Sequence, residues 1–339
     1  MAVAAAACDR GGGGREAAAY PLDRRLRLDQ VQALSTHNSY KLRPGADLPG
    51  ALGDSVDYAH LPLDEQLQSQ GVRGFEIDVA TRGEEFPVVH TPVIDANTNC
   101  ASLQECLQVV DAWSDDHPGH VPIFVLLEPK DGLIERGFDP RLGTYDRAVF
   151  DRMDREIRRV LGPDDLLTPD EVRGKSKTLR AAVRERGWPT LNEARGTIVV
   201  VLNTAGEKRQ EYLKGRASLQ GAAMFVTADT TAPSAAVIKV DDPDEARIRR
   251  LVEQHFIVRT RADADTVEAR ANDTARAELA LRSGAQIVST DYPVPDAAIN
   301  AEYSVRIPGG RPARCNPVQA PKGCRSVDVE NPKHLSKRR

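Results

Sequence analysis

The sequence predicts an α/β fold, a (β/α)8 TIM-type barrel, regular or distorted, followed by a disulfide-stapled C-terminal tail. Three observations carry this. Apolar runs of strand length alternate with amphipathic stretches of helix length from residue 28 to residue 300, which implies a mostly parallel sheet. About eight strands are implied and no Gly-x-Gly-x-x-Gly follows the first, so a closed barrel is favoured over a dinucleotide-binding sheet. The chain of 339 residues, 40% hydrophobic and 28% charged, is long enough for one large barrel.

Taken in order, strands are expected at 31–34, 72–79, 87–90, 122–127, 197–202, 223–226, 237–240, 256–258 and 286–288. Helices are expected at 63–69, 102–115, 144–161, 208–219, 243–254 and 274–283, with Gly71, Gly162-Pro163 and Gly284 punctuating the joints. Residues 163–196, carrying Lys175, Lys177, Arg184 and Arg186, read as a long surface excursion between two strands. The expected organisation is a leader over 1–27, the barrel over 28–300, and a tail over 301–339 packed on it or trailing from it.

No apolar run approaches the roughly 18 residues that span a bilayer. A net charge of −4 and a pI near 6.0 give no global attraction to nucleic acid. Five cysteines are present. Cys100 and Cys106 are close in sequence, as are Cys315 and Cys324, and neither pair has a partner at zinc spacing. Two local disulfides are therefore expected, and with them an oxidising, extracellular setting; the alternative is four free thiols. Cys8 follows a short alanine-rich run and precedes Asp9-Arg10 and a glycine run. That arrangement resembles the end of a bacterial lipoprotein signal lacking its basic start and most of its apolar core. The segment reads either as such an export signal or as a disordered leader.

In a barrel the reactive groups sit where strands end. The first run ends in Thr36-His37-Asn38-Ser39-Tyr40, the second in Glu76-Ile77-Asp78, a short one in His90, and the next in Glu128-Pro129-Lys130. Later runs end in Lys239-Val240-Asp241, Arg259-Thr260-Arg261 and Ser289-Thr290-Asp291. Residues at i and i+2 of a strand share a face, so Glu76 and Asp78 would converge with Glu128 and Asn38 at one rim. Carboxylates crowded in a semi-buried mouth repel unless a cation lies among them, and oxygen-only donors select Ca2+ or Mg2+. Two histidines add proton transfer near neutral pH, and Lys130, Lys239, Arg259 and Arg261 suit a phosphate-bearing substrate. The pattern points to phosphodiester cleavage. Taken singly, His90 reads as a core histidine, Glu-x-Asp as a solvated strand edge, and the two arginines as surface charges paired with Asp263 or Asp265. Their joint occurrence on successive strand ends favours a site. His60, His117, His120, His255 and His334 receive no role.

These motifs resemble the bacterial calcium-dependent phosphoinositide-specific phospholipase C family. The likeness rests on Thr36 to Tyr40, on Gly71-Val72-Arg73 leading to Glu76-Ile77-Asp78, and on Val88-Val89-His90. Ala112-Trp113-Ser114, His117-Pro118-Gly119-His120 and Glu128-Pro129-Lys130-Asp131-Gly132 extend it. The order of His-Asn, Glu-x-Asp, a second histidine and a strand-end Glu also resembles the catalytic core of eukaryotic phosphoinositide phospholipases C. The resemblance implies one Ca2+ held by Asn38, Glu76, Asp78 and Glu128, with His37 and His90 as the catalytic pair. It implies a head-group pocket built from Lys130, Lys239, Arg259, Arg261 and Tyr292. It further implies a monomer acting on a phospholipid at a membrane surface, secreted or held there by a lipid on Cys8. The competing activity is that of a glycerophosphodiester phosphodiesterase or phospholipase D on the same barrel. Those enzymes usually carry His-Arg-Gly after the first strand, where this chain has His37-Asn38-Ser39. A non-catalytic lipid- or phosphate-binding barrel would lack one of the six core residues, and all six are present.

Overall fold

Short runs of β-branched and large apolar residues, bounded by glycine and proline, make strands buried on both faces, as parallel strands under a helical layer must be. The computed structural model describes residues 20–45, 50–91, 95–132 and 141–336. Among them eight parallel strands follow one another: β1 (Val31–Thr36), β2 (Gly74–Val79), β3 (Ile123–Pro129), β4 (Ile198–Leu202), β5 (Phe225–Val226), β6 (Val237–Lys239), β7 (Ile257–Arg261) and β8 (Ile287–Thr290). Every residue of β4 is fully buried.

The ring is irregular. Its hydrogen bonding runs through β2-β3-β4-β5 and through β6-β7-β8-β1, and single parallel bridges, Thr227 with Val237 and Leu34 with Val72, link the halves. A ninth strand accounts for the second gap. β9 (Ala313–Cys315), from the tail, pairs antiparallel with β1, Val31 opposite Cys315 and Ala33 opposite Ala313. It takes the edge of β1 that β2 would otherwise occupy, and β2 reaches β1 only beyond it. The tail is thus part of the wall.

Helices start where side chains cap them. Ser102 accepts from the Glu105 backbone N–H to begin helix Leu103–Asp116, and Asp146 accepts from Val149 to begin helix Arg147–Asp165. The latter breaks at Gly162, whose φ of 66° precedes Pro163.

Two expectations fail. Residues 163–196 are folded and packed, not a surface excursion. Short helices at Pro169–Arg173, Leu179–Arg186 and Leu191–Ala194 bury Val172, Leu179, Val183 and Leu191, and the connection between the last two buries Trp188. Of the charges that suggested exposure, Lys175 and Lys177 lie exposed on the turn between the first two helices and Arg184 and Arg186 on the exposed side of the second, while the apolar residues recur at helical spacing on the inner face. The run 87–90 is not a barrel strand either. It makes isolated antiparallel bridges, Val79 with Val88 and Pro87 with Ser102, so His90 rides on a loop folded back over the end of β2.

Candidate active site

The turn leaving β1 is tied to β2 before any side chain enters the mouth. Ser39 N–H donates to the Glu76 carbonyl (2.8 Å), and Glu76 N–H donates to Ser39 Oγ (2.9 Å). Thr36 Oγ1 donates to Gln66 Oε1 at 2.7 Å. Asn38 takes a positive φ of 45°, a conformation asparagine tolerates better than most residues. Its amide nitrogen donates to the Tyr58 hydroxyl at 2.9 Å.

His37 Nδ1 lies 2.8 Å from Asp291 Oδ1 at the end of β8, and Arg261 Nη2 lies 3.1 Å from the other oxygen of that carboxylate. Burial, reinforced by the Arg261 guanidinium, pushes the pKa of His37 well below the ordinary value. The neutral ring then donates Nδ1–H to Asp291 and leaves Nε2 as an acceptor. His60, given no role from sequence, is buried beneath it with Nε2 2.9 Å from the His37 carbonyl oxygen.

The acids meet as strand periodicity requires. Asp78 on β2 stands directly opposite Glu128 on β3, and Glu76 is on the same side two residues back. Lys130 Nζ lies 3.0 Å from Asp78 Oδ2 and 2.7 Å from Glu128 Oε1. Burial pushes Asp78 up to about 7, with Glu128 adding to the shift and Lys130 opposing it. For Glu128 burial acts upward too, but the Lys130 ammonium outweighs it and holds the carboxyl below its usual range. Arg259 Nη2 donates to Glu76 Oε2 at 2.5 Å, and its other terminal nitrogen pairs with Asp241.

Lys130, Arg259 and Arg261, expected to face substrate, are thus anchored on carboxylates of the site itself. Lys239 pairs with Asp241 at 3.4 Å and is a third exposed. It lines a cleft of about 440 Å³ with Glu128, Asn203, Lys208 and Arg209. Tyr292 is buried between Tyr58 and Tyr303, and its hydroxyl has no hydrogen-bond partner.

His90 closes the mouth from the other side, its Nδ1 3.0 Å from Asp95 Oδ2. Asn203, which follows β4 directly, donates to Glu76 Oε1 (2.8 Å) and Glu128 Oε2 (3.3 Å), while its own buried Oδ1 has no partner. Sequence reasoning passed over Asn203, although the strand-end rule applied to the run 197–202 selects it. Asp291 was noted as a strand end without a role. Asp95 and Lys41 carry no local signal.

Among the described residues no three His, Cys, Asp or Glu side chains form a ready metal cage, and the Lys130 ammonium stands among the acids instead. The donor chemistry still fits Ca2+. Asn38, Glu76, Asp78 and Glu128 offer only oxygen, and the unpartnered Asn203 Oδ1 adds another oxygen beside them. Cys100–Cys106 and Cys315–Cys324 form the two expected disulfides; Cys8 lies outside the described residues. No helix among those residues is long and apolar enough to cross a membrane.

A profile of the family described as phosphoinositide phospholipase C, Ca2+-dependent, matches residues 26–85 and 81–317. The structure is similar to a calcium-dependent phosphoinositol-specific phospholipase C from a Gram-negative Pseudomonas species, in an apo form, myoinositol complex. That match has 19% identity and a TM-score of 0.58, over 87% of this chain and 97% of the other. Crystal form 1 of that enzyme's apo form matches at 18% identity and a TM-score of 0.59, over 89% and 100%. The Ca2+-dependent phosphatidylinositol-specific phospholipase C of Streptomyces antibioticus matches at 19% identity and a TM-score of 0.55, over 79% and 95%. At these identities the structures speak for the fold alone. None of the curated proteins matches. The family profile spans most of the chain: the protein belongs to the Ca2+-dependent phosphoinositide phospholipase C family and is a phosphodiesterase that cleaves phosphatidylinositol.

Proposed function

We propose that the chain releases diacylglycerol and a cyclic inositol phosphate, with one Ca2+ held by Asn38, Glu76, Asp78 and Glu128. The observation that carries this reading is the presence of two histidine–carboxylate pairs, His37–Asp291 and His90–Asp95, at the mouth where Asp78 and Glu128 face each other on neighbouring strands. When bound, Ca2+ lowers the proton affinity of the inositol 2-hydroxyl and offsets charge on the phosphoryl oxygens. A carboxylate of the cluster, Glu76 or Glu128, takes the proton of that hydroxyl, whose oxygen forms the new bond to phosphorus. The bond from phosphorus to the diacylglycerol oxygen breaks with its electron pair on that oxygen, and His90 supplies the proton it needs. His37 donates to a phosphoryl oxygen through Nε2, the nitrogen not committed to Asp291, once the bound anionic phosphate has drawn a proton onto it. Lys239, on the rim, and Lys130, Arg259 and Arg261, behind the carboxylates, favour an anionic head group; Tyr292 contributes as packing under Tyr58. Two disulfides support export to an oxidising compartment, and a lipid on Cys8 would hold a monomeric enzyme at its substrate.

The test is turnover of phosphatidylinositol against glycerophosphocholine, with Ca2+ and with EGTA, reading the products by phosphorus NMR. The expected result is a cyclic inositol phosphate, lost on chelation. Unchanged activity in EGTA, or preference for glycerophosphocholine, overturns the reading. Intact mass of the exported protein and its size in solution check the anchor and the monomer.

A further inference from the structure

We propose that Asp95, held by the buried ammonium of Lys41, is the positioning residue for His90. The idea rests on the reading of His90 as the proton donor to the departing oxygen. His90 Nδ1 lies 3.0 Å from Asp95 Oδ2, and the other oxygen of that carboxylate lies 3.1 Å from Lys41 Nζ. The side chains of Asp95 and Lys41 are each 1% exposed, against 28% for His90. A buried carboxylate stays ionised only beside a compensating charge, and Lys41 supplies it. Lys41 is fixed in turn by donating to the carbonyl oxygens of Val56 (2.6 Å) and Tyr58 (3.2 Å), with its ammonium 4.7 Å from the centre of the Tyr58 ring.

The backbone delivers the acid to the histidine. Thr91 and Asp95 exchange two backbone hydrogen bonds, 3.2 Å and 2.8 Å, which bring Asp95 beside His90. The segment that follows is laced to the turn leaving β1: Leu42 N–H donates to the Asn97 carbonyl (3.1 Å) and Asn99 N–H to the Tyr40 carbonyl (2.8 Å). One five-residue turn, 37–41, therefore carries both His37 and the cation that secures the carboxylate behind His90.

The same order of groups recurs across the mouth, where His37, Asp291 and Arg261 form a histidine, a carboxylate and a cation in sequence. In both, Nδ1–H is committed to the carboxylate and the ring is fixed in orientation; at His90 the proton to be transferred therefore resides on Nε2. For His90 the carboxylate also stabilises the imidazolium that must form before a proton can be given away.

The experiment compares phosphatidylinositol, whose leaving oxygen is an alkoxide, with an inositol nitrophenyl phosphate, whose leaving oxygen needs no proton. Asp95→Asn, Asp95→Glu, Lys41→Arg and His90→Ala are measured for kcat, KM and thermal unfolding. In Asp95→Asn the lipid kcat is expected to fall by at least about tenfold, a part of the whole acid contribution. Its KM and its kcat on the aryl ester stay near wild type. Asp95→Glu and Lys41→Arg, which keep the charges, recover lipid turnover over Asp95→Asn. Equal losses on both substrates, or a raised KM with unchanged kcat, assign Asp95 a structural role and overturn the proposal. If Asp95→Asn does not fold, failure of the two charge-keeping variants to retain substrate selectivity overturns it. If His90→Ala itself loses both substrates equally, it is the role of His90 that falls; if His90→Ala discriminates and Asp95→Asn does not, only Asp95 falls.

Discussion

The two ends of the barrel each bury an arginine against a glutamate, and they treat the pair differently. At the floor, where β2 begins, Arg73 donates through Nε and Nη2 to both oxygens of Glu330 from the tail (2.9 and 2.5 Å). Its Nη1 reaches the carbonyls of Leu67 and Val72, Glu330 also accepts the Val121 N–H, and the guanidinium lies over Trp113. No polar atom of this pair is left over. At the mouth, Arg259 reaches Glu76 and Asp241, but its Nε is buried without a partner, as are Asn203 Oδ1 and Arg261 Nε nearby. A buried charge pair with every bond made holds a fold together. One with bonds to spare can take on a ligand.

Substitutions at the two ends should therefore separate activity from stability. The largest effect is expected at the mouth: His37→Ala should lower turnover by about 10²–10⁴ while leaving the thermal midpoint nearly in place, as steady-state kinetics and calorimetry would show. A large loss of stability there would erase the distinction between the ends. At the floor, Glu330→Gln should remove about 3–5 kcal/mol by stranding the Arg73 charge, with turnover per folded molecule intact. Denaturant titration reads the first and active-site-normalised rates the second.

Acid should weaken both ends through two buried histidines. His60, under the mouth, and His120, at the floor between Ser114 and the Val121 carbonyl, are each lowered by burial from 6.5 to about 4. Between those values the unfolded chain binds the proton that the folded chain refuses. Stability is thus full above about 6.5 and falls as the pH drops toward 4, by about 3 kcal/mol for each histidine. His120→Gln should flatten its share of that slope without touching activity, and urea titrations at several pH values measure it. A slope that persists in full would mean that other groups carry it.

The smallest effects concern the disulfides. Loop closure values each at about 2 kcal/mol. Replacing Cys315 and Cys324 by serine, at the floor beside β9, should lower only the unfolding temperature. Replacing Cys100 and Cys106 should lower kcat too, because the segment carrying Asp95 leads directly into Cys100. Equal kinetics for the two double variants would separate the disulfide from the setting of His90.

Much of this site could be read along the chain. His37, Glu76, Asp78 and Glu128 each follow or end an apolar run, and the ends of parallel strands gather at one face whatever the exact register. Periodicity puts Glu76 and Asp78 on one face, and the register of β2 on β3 sets Asp78 opposite Glu128. His90 was found by its place after a short apolar run, although that run proved to be a loop. Residues 163–196 look like a surface excursion because their charges stand out in the sequence more than the helical spacing of their apolar residues.

The sequence by itself determined the strand–helix alternation, the acids and His37 at the strand ends, and the two local disulfides, since each depends on neighbours a few residues away. Tertiary structure decided what stands behind them. Asp291 reaches His37 across 254 residues of chain, Glu330 reaches Arg73 across 257, and β9 lies on β1 from the far end of the molecule. Lys130 and Arg259, which looked like substrate contacts, turned to the nearest carboxylates instead. No local period encodes such pairings; they arise because burying a charge costs more than any local preference can offset, so each one takes the partner that the folded barrel brings within reach.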